Sequence, residues 1–229
     1  MLKKQEELLD YIDKYEELIK TISCKFDYKQ TIENGRIVLT NKRVKFIEIK
    51  DTIEDRKKYK EIMAKYIDYI NNNYKIKSSI NNIDIDDCFN KEVLQKGKMP
   101  LFFVYNLNGY LLGMCGFRKM VNYEYCGKIM QLHEISVRIF SFDDKSSVNG
   151  YGLISALTAF LYGLRNKNIM YAKTYPEIRD LVFHISTITG HCYEGKYLIK
   201  YPFLEEKCYC DITFSFDFLN HQKVDLSFL

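Results

Sequence analysis

The chain has 229 residues, 34 basic and 30 acidic side chains, a formal net charge of +4, and 47% hydrophobic residues that include 19 Tyr and 15 Phe. That composition excludes a disordered or collagen-like chain. With no basic arm or single-sign block, it also argues against nucleic acid as the main partner.

The seven cysteines lack framework spacing, and the opening Met-Leu-Lys-Lys-Gln-Glu-Glu does not read as a secretory leader. Reduced thiols in a cytoplasmic protein are the expectation. No run approaches the ~18 apolar residues of a membrane span. From the N-terminus, Leu8, Ile12, Tyr15, Ile19 and Ile22 recur at steps of four and three, with Glu and Lys on much of the opposite face. They predict an amphipathic helix over 3–22 that offers a face for a homodimer or partner contact. Asn34-Gly35 makes a turn, and residues 1–43 read as a helical extension before a domain spanning 44–229.

Val44 to Ile49 has strand character, Asp51-Thr52 offers a cap, and Tyr59, Ile62, Met63, Tyr66, Ile67 and Ile70 give residues 53–71 a helical period. Residues 71–98 read as a long loop with one short helix. Their acidic cluster, Asp84, Asp86 and Asp87, is read as solvated, since no Gly-containing calcium loop surrounds it. Pro100 opens a β-rich regime: residues 101–105 and 110–118 form a hairpin about Asn108-Gly109, and 128–140 form a third strand. A polar loop leads to Gly150-Tyr-Gly152 and a helix over 153–164. A strand at 168–174, a helix at 177–188 and strands at 191–201 and 207–218 complete the chain. Cys208 and Cys210 share a strand face, but no second pair completes a tetrahedral metal site, and no metal is expected. The order predicts an α/β fold (α+β, mixed antiparallel and parallel central sheet) with helices on both faces.

Chemistry concentrates between Leu132 and Leu153. A Gly-x-Gly opening a helix lets the backbone approach a ligand, and the first helical turn then aims free N–H groups, at the positive end of the helix dipole, toward an anion. Neither a third Gly nor a Lys-Ser/Thr follows, so the motif is neither a dinucleotide fingerprint nor a P-loop. Cys192 beside His191 does not make a nucleophilic dyad, because neighbours on a strand point to opposite faces.

With its strand ending at Val137, its Gly150-x-Gly152 and its closing Gly190-His-Cys-Tyr193, the chain resembles the GNAT superfamily of N-acetyltransferases over residues 44–218. The resemblance implies acetyl-CoA as cosubstrate and an amine-bearing acceptor. Its cradle would be Ile135, Ser136, Val137, Val148, Asn149, Gly150, Tyr151, Gly152 and Leu153. Three departures stand out. Ser147 replaces the usual Arg or Gln, so Lys145 is the candidate phosphate-facing charge; the preceding loop is longer than the common form; and Ser186 holds the position of the thiolate-protonating Tyr. Residues 131, 133, 135 and 137 share one strand face, and the resemblance turns His133 and Gln131 toward the acceptor. His133 is therefore the first candidate base and Glu134, on the other face, the second. Tyr193, His184 and Ser186 are the candidate acids. Two other readings keep the fold: a binding or regulatory protein without transfer, and an enzyme of other acyl or nucleobase-modifying chemistry.

Overall fold

The computed structural model of the chain describes residues 23, 26–73, 84–125, 128–139, 150–166, 169–174, 198–200 and 208–213. The helices expected at 3–22 and 177–188 lie outside them. The described strands are β1 (Lys29–Glu33), β2 (Arg36–Thr40), β3 (Val44–Glu48), β4 (Leu101–Asn106), β5 (Leu111–Tyr125), β6 (Lys128–Ile139), β7 (Ile169–Thr174), β8 (Leu198–Lys200) and β9 (Cys208–Thr213). Three helices accompany them: α1 (Ile53–Asn73), α2 (Ile85–Val93) and α3 (Tyr151–Arg165). The strands form one mixed sheet in the order β1-β2-β3-β4-β5-β6-β7-β9-β8. Every pairing is antiparallel except β6–β7. The fold is therefore α/β with a mixed sheet, and none of the described helices is long and apolar enough to cross a membrane.

Residues 29–40, expected within a helical extension, instead form a hairpin that joins the same sheet through β3. The turn at Asn34-Gly35 has φ of 50° and 71°, the paired left-handed values that a two-residue hairpin requires. What hid the strands is that Lys29–Glu33 is almost wholly exposed and polar, with no buried face to impose alternation. In the next turn the Asn41 carboxamide oxygen accepts the N–H groups of Arg43 and Val44 at 2.8 and 2.9 Å, while its amide donates to Thr158 Oγ1 on α3 at 2.9 Å.

Each sheet face buries its own core. Leu39, Val44, Phe46, Phe102, Val104, Phe117 and Ile135 pack with Ile154, Leu157, Phe160, Leu161 and Leu164 of α3. On the opposite face Leu101, Phe103 and Met114 pack with Tyr59, Ile62 and Met63 of α1 and Phe89 of α2. Fully burying one such side chain is worth about 1.5–3 kcal/mol, so the two helical layers are held chiefly by this contact. Polar groups set the helix starts: Thr52 Oγ1 accepts the Asp55 N–H at 3.1 Å, and Asp84 Oδ1 accepts the N–H groups of Asp86 and Asp87 at 2.9 and 3.2 Å. The acidic cluster thus caps α2 and pairs outward, Asp86 with Lys60 at 2.7 Å. Buried Asp55 also accepts the Lys50 N–H at 2.7 Å and pairs with Arg36, joining α1 to β2.

Strand β5 runs past the expected end at 118 to Tyr125 and is bulged at Leu112 and at Arg118. Gly113 (φ 142°) is fitted against its neighbour, for a Cβ there would lie 2.0 Å from the Arg138 carbonyl oxygen of β6. Gly113→Ala is therefore expected to destabilise the protein by more than about 2 kcal/mol, combining backbone strain and overlap. Gly109→Ala, whose Cβ would meet nothing within 4 Å, should cost less. Urea unfolding of the two variants checks the ranking.

Candidate functional site

The feature that distinguishes this sheet lies along β6. Its pairing with β5 continues to Gly113↔Ile139, but its parallel pairing with β7 ends at Ile135↔Ala172. Strand β7 itself runs on to Thr174, paired there with Cys210 of β9. From Ser136 the two strands part, and among the described residues no strand pairs with the released edge of Ser136–Ile139. Val137 is 39% exposed there.

Helix α3, which packs on β5, β6 and β7, begins beside this part of the sequence at Gly150. Gly150 is left-handed (φ 63°), a conformation natural to glycine. The helical ladder starts with the Ile154 N–H to the Gly150 oxygen at 3.0 Å, so the N–H groups of Tyr151, Gly152 and Leu153 precede it. A Cβ on Gly150 or Gly152 would meet no atom within 4 Å among the described residues. Within the same turn and a half, the Ser155 hydroxyl is buried and has no hydrogen-bond partner among them. Open space and unladdered N–H groups fit a phosphate-bearing ligand. Lys145, Val148 and Asn149, also assigned to the cradle, lie outside the described residues, as do Tyr193, His184 and Ser186.

Strand parity divides the expected base candidates. His133 and Ile135 face the α3 side, where His133 is 1% exposed, stands edge-on to Phe117 with ring centroids 6.2 Å apart, and accepts the Met99 N–H on Nδ1 at 3.4 Å. With Nδ1 accepting, the proton of the neutral ring sits on Nε2. His133 thus presents a donor to its surroundings, and its Nδ1 lone pair is already engaged. Gln131 is exposed. Glu134, 2% exposed, faces α1 and α2 and pairs with Arg118.

That opposite face carries a charged network. Glu92 of α2 accepts both Nη groups of Arg138 at 2.6 Å each and the Tyr59 hydroxyl at 2.7 Å. Arg138 Nη1 also lies 3.1 Å from Met63 Sδ, and its guanidinium stands 5.4 Å from the centre of the Tyr66 ring. Burial by itself would raise the Glu92 carboxyl, but the Arg138 charge and hydrogen bonds, with Arg118 and Tyr59, outweigh it and hold the group below its ordinary value. Burial raises the Tyr59 hydroxyl and the Cys88 thiol. Lys98 donates to the Phe117 and Met99 carbonyls at 2.7 and 2.9 Å, and burial lowers it to about 8 despite the opposing pull of Glu92 and Glu48.

Sequence reasoning passed over Glu92, Lys98, Arg118 and Arg138. A signal was available: Glu134 and Arg138 sit four apart on one face of one strand, and charges buried in a sheet need partners. Among the described residues no group of three or more His, Cys, Asp or Glu is placed to hold a metal ion.

Two measurements check these electrostatics. Arg138→Met should cost about 3–5 kcal/mol by stranding Glu92, and adding Glu92→Leu should recover part of it in a double-mutant cycle. Because the Glu92 carboxyl is lowered in the fold, its stabilisation is present above the ordinary value of 4.5 and is lost as pH falls below it. Lys98 has the opposite sign. Its charged form is penalised in the fold, so its contribution makes stability rise with pH between about 8 and 10.5. The Lys98 ¹³Cε resonance should titrate near 8, and Lys98→Met should flatten that rise.

No protein-family model matches the chain, and no curated protein matches it in sequence. Among solved structures, it is similar to an acetyltransferase of the GNAT family from Bacillus anthracis, with 18% identity and a TM-score of 0.46 over 77% of this chain and 96% of that one.

Proposed function

We propose that the protein is an acyltransferase that moves an acetyl group from acetyl-CoA to a primary amine. The observation that carries this reading is the parting of β6 from β7 after Ile135↔Ala172, followed in sequence by the open helix start at Gly150. An extended, amide-bearing arm matches a released strand edge, because its amides can replace the missing ladder partners. A pyrophosphate matches the N–H groups of Tyr151, Gly152 and Leu153. Acetyl-CoA, with both parts, supplies an acyl thioester at the far end of that arm.

In the transfer, the acceptor nitrogen forms a bond to the thioester carbonyl carbon, the carbon–sulfur bond breaks, and the sulfur leaves as a thiolate that takes up a proton. The ammonium proton of the acceptor must first be removed. Glu134 suits that task, directly or through one water, as a carboxylate on the face opposite α3. His133, with its proton on Nε2, serves as a hydrogen-bond donor and packs the strand beneath. Backbone N–H groups along Ser136–Ile139 are suited to the developing charge on the thioester oxygen.

Millimolar acetyl-CoA is expected to raise the melting temperature by several degrees and to release free thiol in the presence of a suitable amine; an unchanged melt overturns the reading. Gly152→Asp separates binding from folding. An acidic side chain in a first helical turn is favourable by about 0.3–1 kcal/mol, so the unliganded variant should melt no lower, yet its carboxylate should repel the pyrophosphate and abolish the shift. Glu134→Gln should keep the shift and lower kcat by about a hundredfold or more. A full shift without thiol release from any amine would instead indicate a protein that binds the thioester and does not transfer it.

A further inference from the structure

Arg118 is placed differently from the other charged residues of its face. It sits on the bulge of β5, where Phe117 pairs with Ile135 and Lys119 with Glu134, leaving Arg118 without a cross-strand partner of its own. Such bulges re-aim a side chain, and this one is fixed on both flanks. Lys98 donates to the Phe117 carbonyl at 2.7 Å, while the Gln95 carboxamide both donates to the Met120 oxygen and accepts the Met120 N–H at 2.9 Å. The short segment before β4 thus clamps the backbone on either side of Arg118.

Nε of Arg118 is taken by Glu134. Its Nη1 lies 3.8 Å from Glu92 Oε1, an ion pair beyond hydrogen-bond range, and the hydrogen bonds of Glu92 go to Arg138 and Tyr59. Among the described residues the end-on Nη1/Nη2 fork therefore has no hydrogen-bond acceptor, and the side chain remains 32% exposed. Charge points the same way. Arg118 and Arg138 balance Glu92 and Glu134, and Lys98 adds one further positive group, since the nearby Glu48 is itself paired with Lys50. A planar fork with two aligned donors matches the two oxygens of a carboxylate better than it matches a point charge.

We propose that Arg118 is the acceptor-selecting residue of this protein, binding end-on the carboxylate of an amine substrate whose nitrogen is presented to Glu134. This rests on the acyl-transfer reading only in assigning the carboxylate to the amine acceptor; the Arg118 site itself is testable by binding alone. The substrate class is an amino acid or other small amino carboxylate.

The test uses ω-amino carboxylates of two to six carbons, each paired with its carboxamide, titrated calorimetrically with and without coenzyme A. For the best-fitting length the wild-type protein should bind the carboxylate about ten- to hundredfold more tightly than the amide. Arg118→Gln should bring the two within about twofold of each other. Because that variant takes the Arg118 charge from the buried Glu134, Arg118→Gln with Glu134→Gln removes both charges and gives the same reading if the single variant fails to fold. No wild-type preference, or a preference that survives both variants, overturns the proposal. So does tighter binding of an aminoalkyl phosphonate, which would indicate a phosphorylated acceptor. Arg118-dependent carboxylate binding without any thermal shift from acetyl-CoA would leave the carboxylate site standing and remove the acyl-transfer reading instead.

Discussion

The Glu92–Arg138 pair orients the sheet against its helical layer on one side, and much else is arranged around it. Two parallel hydrogen bonds of 2.6 Å tie α2 to β6, and the Tyr59 hydroxyl brings in α1 on the same carboxylate. Burying two charges is costly, and the pair offsets that cost only because nearly every lone pair and donor is used. Its value is geometric. A bidentate guanidinium–carboxylate contact admits one orientation, whereas the apolar packing around Tyr59, Ile62 and Met63 would tolerate several. The pair therefore sets where α2 sits relative to β6, and with it where the segment carrying Gln95 and Lys98 approaches the bulge of β5.

Two residues of β6 show how one strand serves two faces. His133 turns toward α3 and disappears into packing with Phe117 and Met99, while Glu134 turns toward Arg118. Their chemical roles divide with their surroundings. His133 accepts a backbone N–H on Nδ1, whereas Glu134 is a buried carboxylate paired with Arg118. Side-chain type alone favours histidine for proton transfer near neutral pH.

Much of the fold was legible in the sequence where one physical signal dominated. Helix α1 was readable because Tyr59, Ile62, Met63 and Tyr66 keep a helical period, and β4–β5 because Asn108-Gly109 joins two apolar runs. The helix start at Gly150 was readable because glycine is scarce in this chain. Strands β1 and β2 were not, since an exposed edge strand needs no apolar alternation and only the Asn34-Gly35 turn betrayed them. The opposition of His133 and Glu134 followed from strand parity, but the partners did not. Arg118 meets Glu134 from 16 residues away in sequence, and Glu92 reaches Arg138 from 46. No local pattern encodes either contact.

The released edge of β6 depends on how firmly its other edge is held. A strand that loses one neighbour midway along its length forfeits ladder hydrogen bonds and invites slippage or pairing with another chain. Here β5 stays in register with β6 across the whole parted stretch, and Gly113 lets the two backbones come so close that any Cβ would strike the Arg138 carbonyl. The Arg138 side chain is anchored from the helical side by Glu92, so the same residue is fixed through its backbone and through its side chain. Strand β7 is in turn held on its far edge by β9, from Tyr171 to Thr174. Among the described residues the unpaired edges are therefore that of Ser136–Ile139 and the facing edge of β7 beyond Ala172. Two strand edges that part while each strand is held from its far side can stay open without collapsing, and that is the condition for receiving an extended ligand between them.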